Sequence, residues 1–63
     1  MYLFLTHLSS GDNKELGPIA INFSQVQKFI PFENNTLIFF NTDTTVIVKE
    51  SWNYIKEKIH ENV

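Results

Sequence analysis

Cysteine and arginine are both missing from this 63-residue chain, and glycine and proline occur only twice each. Without cysteine there are no disulfide staples and no thiolate metal sites, so a small disulfide- or zinc-held framework is excluded. The lack of arginine, together with a formal net charge of −2, argues against a nucleic-acid role. Phosphate neutralisation needs clustered Lys and Arg, and base readout leans on the guanidinium fork. The lysines that remain (Lys14, Lys28, Lys49, Lys56 and Lys58) are scattered. Long apolar runs are absent too, so no segment is expected to span a membrane. The opening Met1 to Leu8 lacks a basic leader region and is broken by Thr6 and His7, which fits no targeting signal and leaves a cytoplasmic location as the expectation. A chain this short builds one domain, residues 1–63, with a marginal core. Its stability must come from apolar packing, from partner subunits, or from both.

What is present is mostly β-branched and aromatic. Tyr2 to Leu8 reads as a first strand. Ser9 to Gly17 is polar, holds both glycines and reads as the longest loop, with Pro18 closing it to helix. Ile19 to Asn22 is a short second strand, and Phe23 to Gln25 a corner. Val26 to Phe32 is a third strand, with Pro31 at a strand end, a bulge or an exposed edge. A turn at Glu33 to Asn35 follows. Thr36 to Asn41 and Thr45 to Lys49 then pair as a hairpin around Asp43. After that the period changes: Trp52, Ile55 and Ile59 recur at helical spacing, predicting an amphipathic helix over residues 51–61 with Ser51 as N-cap and Glu50 adding favourable charge beside it. The expected fold is α+β, a small antiparallel sheet of four to five strands with one C-terminal α-helix.

Chemistry-bearing constellations are sparse. His7 and His60 have no acidic partner at ligand spacing, so no metal site is expected, and His60 reads as a residue complementing the helix dipole. Ser9, Ser10, Ser24 and Ser51 sit in turns or caps with no adjacent base, and no nucleophile elbow is present. Glu57 and Glu61 share one helix face, which reads as solvated rather than as a catalytic carboxylate pair. Gly11 and Gly17 lack a phosphate-loop continuation, and Asn34-Asn35-Thr36 reads as a turn rather than a glycosylation site. Catalytic residues, cofactors and metals are therefore not expected, and the chain does not read as an enzyme.

The faces of the strands carry more information. Alternation sets Leu3 and Leu5 against Tyr2, Phe4 and Leu8, and Ile38 and Phe40 against Leu37 and Phe39. Both faces are apolar, yet one short helix covers one face only. A sheet face left in water normally shows polar residues. The excess predicts self-association, a two-fold dimer favoured, with Leu3, Leu5, Leu37 and Phe39 as candidate interface residues, each marking one side of its strand. Face stacking is favoured over edge pairing, because Pro31 would blunt an outermost strand. The alternative is a sheet curled around one core. Trp52 reads as packed in phase with Ile55 and Ile59, with a surface binding role as its alternative.

The run Thr36 to Ile59 (TLIFFNTDTTVIVKESWNYIKEKI) resembles the C-terminal half of the FlbD/SwrD family of small flagellar and swarming motility proteins. Thr36, Ile38, Val48, Lys49, Glu50, Ser51, Glu57, Lys58 and Ile59 match its pattern. Upstream, Leu5, Thr6 and Leu8, then Asn22, Val26, Lys28 and Phe29, resemble its opening segments. The chain departs at His7, where the family usually has arginine, at Thr42 and Asp43, which replace an Asn-Gly turn, and at Trp52 and Tyr54. Proteins of this pattern also look similar to short reading frames carried by phages. The resemblance implies a motility-associated or phage-encoded accessory factor acting through protein contacts. The alternative is a small-ligand binder, for a nucleotide or metabolite, with its site formed between subunits, since so short a chain can hardly enclose a pocket alone.

Overall fold

A computed structural model describes residues 1–61. It contains β1 (Tyr2–Leu8), β2 (Glu15–Asn22), a short 3-10 turn (Phe23–Gln25), β3 (Val26–Phe32), β4 (Asn35–Phe40), β5 (Thr45–Val48) and α1 (Trp52–Glu61). The strands form a single antiparallel sheet in the order β2-β1-β5-β4-β3. The expected α+β architecture, a five-stranded sheet with one C-terminal helix, is what the chain adopts.

The second strand is longer than its sequence suggests. It begins at Glu15, so the loop expected over Ser9 to Gly17 shrinks to the residues between Leu8 and Glu15. Polar Glu15 carries no strand signal of its own; pairing with Leu8 draws it into the ladder. Between the pairs His7↔Gly17 and Leu8↔Glu15 the register slips, leaving Leu16 as an extra residue. Gly17 makes this possible by adopting φ 118°, a region that costs other residues a Cβ clash. Asp43 takes φ 64° at the tip of the β4–β5 hairpin, where the sequence places the turn.

The 3-10 turn joins the two outermost strands directly, so the sheet curls until its edges lie a three-residue span apart. Phe23 in that turn meets Phe29 of β3 edge-on, ring centroids 6.1 Å apart. Inside the curl Leu5, Ile21, Ile38, Val48 and Ile55 form the core, with Leu3, Ile19, Phe29, Phe40 and Ile59 packed around it. Ile55 is the one fully buried residue of the described helix, and it plugs the concave side. The helix starts as expected: the Ser51 hydroxyl accepts the Tyr54 N–H at 3.1 Å.

Candidate interaction surface

Residues paired across an antiparallel ladder share a face, so the registers divide the sheet into an inner and an outer side. Leu3 pairs with Ile21 and Leu5 with Ile19 on the inner side. Leu5 is 3% exposed and belongs to the core, and Leu3 packs against that core. Of the candidate interface set of Leu3, Leu5, Leu37 and Phe39, Leu5 is thus committed to the core, and half-buried Leu3 shares its inner side. Leu37 and Phe39 lie on the outer side. Strand alternation distinguishes two faces but not which one the helix will cover.

On the outer side one row crosses four strands: Leu8 pairs with Ile47, Ile47 with Leu37, and Leu37 with Ile30. Ile30 is exposed, Leu37 and Ile47 are half-buried, and Leu8 is buried. Beside the row stands Phe39, with the Lys28 ammonium 4.9 Å from its ring centroid. Further along β1, Phe4 and Tyr2 are 76% and 62% exposed, the two most exposed large apolar side chains in the described chain. None of these is covered by α1, whose buried residue faces the opposite side.

The junction between β5 and the helix is held by a residue the sequence assigns elsewhere. Glu50 turns back to β1, where its Oε1 accepts the Thr6 N–H at 2.8 Å and its Oε2 the Thr6 hydroxyl at 3.0 Å. Its carbonyl oxygen accepts the hydroxyl of fully buried Thr36 at 2.8 Å, and the Lys49 N–H reaches the Thr6 carbonyl at 2.9 Å. The expected role for Glu50, charge beside the helix terminus, is replaced by a clasp spanning 44 residues of sequence. No local pattern reports such a partner. Removing this carboxylate by Glu50→Ala is expected to cost about 1.5 to 3 kcal/mol, the range for hydrogen bonds to charged groups. Urea denaturation checks it; a loss below about 0.5 kcal/mol, typical of an idle surface site, would show that the clasp is not structural.

Other charges are peripheral. Lys49 Nζ lies 2.7 Å from Glu15 Oε2, and this contact holds the Lys49 ammonium above its usual range, yet both side chains are well exposed and the pair adds little. Hydrogen bonds from the Ser9 hydroxyl and then the Lys14 N–H hold the exposed Asp12 carboxyl below its usual range. Among the described residues no three His, Cys, Asp or Glu side chains come together, and His7 and His60 lie on separate elements. No described helix is long and apolar enough to cross a membrane.

Trp52 sits where helix and sheet meet. It is half-buried, its ring centroid 5.8 Å from that of Phe29, and its indole N–H donates to the Phe29 carbonyl at 3.2 Å. It lines, with Met1, Phe23, Val26, Phe29 and Ile59, an apolar groove of about 510 Å³. The groove is open to solvent along its length rather than an enclosed pocket. The curl of the sheet, invisible in strand periodicity, creates it. Comparison with protein-family models, with curated proteins and with solved structures finds no match to this chain.

Proposed function

We propose that this chain is a non-enzymatic protein-interaction module that pairs with a second copy of itself. The observation that carries this reading is the row Leu8, Ile47, Leu37 and Ile30, continued by exposed Phe4 and Tyr2, on the side the helix does not cover. A two-layer domain normally shows polar residues on its solvated sheet face. So much exposed apolar surface on a chain with so small a core favours association with a second copy. The likeness to the FlbD/SwrD pattern supports an accessory role in motility or in a phage, exercised by the assembled protein.

Size exclusion with light scattering at about 10 to 100 μM tests the reading; a dissociation constant of about 1 μM corresponds to about 8 kcal/mol. The expected result is a species of twice the 7.4 kDa chain mass. A monomer throughout that range would overturn the proposal.

A further inference from the structure

Along an extended strand the N–H and C=O of one residue point to the same side, and successive residues alternate. In β1 the Met1 carbonyl accepts the Phe23 N–H at 2.9 Å, on the β2 side. The Thr6 N–H and carbonyl go the other way, to Glu50 and Lys49. Leu3 and Leu5 therefore address β2, whereas Tyr2, Phe4 and Thr6 address the side of β5. That neighbour is short: β5 pairs only with His7 and Leu8, Lys49 and Glu50 serve Thr6, and the chain then turns into α1. No main-chain or side-chain group among the described residues bonds Tyr2 or Phe4 on that side. Two N–H and two C=O groups are left open in the middle of the sheet, at the residues whose side chains are the most exposed aromatics.

The sheet's outer edges differ. Pro18 lies opposite Thr6, so its nitrogen points away from β1 into solvent and offers no donor there. In β4 the Phe40 N–H bonds the Thr44 carbonyl, which directs Phe40, Ile38 and Thr36 toward β5. Pro31 and Phe29, opposite Thr36 and Ile38, consequently face outward from β3. Pro31 has no N–H, and the Phe29 carbonyl is taken by the Trp52 indole. A proline without a donor interrupts each outer edge, which hinders strand addition there, and the β1 notch carries none.

We propose that two copies join by antiparallel pairing of their β1 strands about a two-fold axis at Leu3. This rests on the self-association proposed above and names its contact. Tyr2 of each chain then exchanges N–H···O=C bonds with Phe4 of the partner subunit, so four main-chain bonds satisfy every open group. A second copy is the occupant because it brings the same donors and acceptors in reverse order, which is the self-complementarity a two-fold contact requires. Pairing also sets each Tyr2 directly across from Phe4 of the partner subunit on the outer face, an aromatic cross-strand pair. Stacking of outer faces, favoured by the sequence alone, is thereby replaced by a sheet continued through its centre.

Phe4→Pro is the discriminating variant. It removes the outward N–H, as Pro18 does across the ladder, and breaks no hydrogen bond within the chain. With folding confirmed by circular dichroism, its dimer dissociation constant should rise at least about tenfold, while Leu37→Glu, on the outer row, changes it little. Should Phe4→Pro not fold, amide exchange of the natural chain decides: protection of the Tyr2 and Phe4 amides must increase with concentration as dimer forms. A dimer that survives Phe4→Pro and is lost with Leu37→Glu, or Phe4 amides that exchange equally fast in monomer and dimer, would overturn β1 pairing and leave self-association standing. A natural chain that never dimerises would overturn both.

Discussion

Replacing Ile55 by alanine is expected to leave most of the protein unfolded at 25 °C. Ile55 has no exposed surface and contributes the helix's one fully buried side chain to the cluster of Leu5, Ile21, Ile38 and Val48. Deleting most of such a side chain costs about 2 to 5 kcal/mol in lost transfer energy and unfilled space. A core of this size supplies about 3 to 5 kcal/mol in total. The loss is hard to recover by collapse, because the surrounding residues come from four strands whose spacing the ladder fixes. Thermal denaturation followed by circular dichroism should show the cooperative transition lost or shifted to low temperature. A variant within about 1 kcal/mol of the natural protein would mean that the helix is not required to close the sheet.

Trp52→Ala is the second large effect, expected at about 2 to 3 kcal/mol. Full burial, which the helical phase of Trp52, Ile55 and Ile59 suggests, would make the cost larger. The ring is only half-buried, packed against Phe29 and with the Lys56 ammonium 5.8 Å from its centroid. The variant should fold but melt early, because ring packing and the bond to the Phe29 carbonyl are lost together. Trp52→Phe separates the two: it keeps an aromatic on Phe29, gives up the N–H, and should lose about 0.5 to 1.5 kcal/mol. Paired urea titrations check both. Equal losses would assign the whole effect to the hydrogen bond, and an unchanged Trp52→Ala would place Trp52 on a purely functional surface.

Local order was legible wherever a side chain's neighbours lie two to four residues away. The β1, β3 and β4 strands, the turn at Asp43, the Ser51 cap and the Trp52, Ile55, Ile59 stripe are set by alternation, φ preference and helical period, all properties of a short window. The proline in β3 left a strand end, a bulge or an exposed edge open, and the fold places β3 at the edge, where a residue without an N–H is tolerated. Glu15 gave no such signal, because its place in β2 comes from Leu8 across the ladder rather than from its own preference.

Residue pattern alone carried the α+β class, apolar residues on both strand faces and too little helix to cover them. Tertiary structure decided which face became the core, placing Leu5 inside and Leu37 outside, since alternation is symmetric until the helix docks. It decided that Glu50 clasps Thr6 rather than attending the helix, because a carboxylate seeks the donors that folding brings near. It also decided that β5 stops short of Tyr2 and Phe4, opening main-chain groups within the sheet, because where one strand ends against another depends on register, a relation between distant segments that neither segment encodes alone.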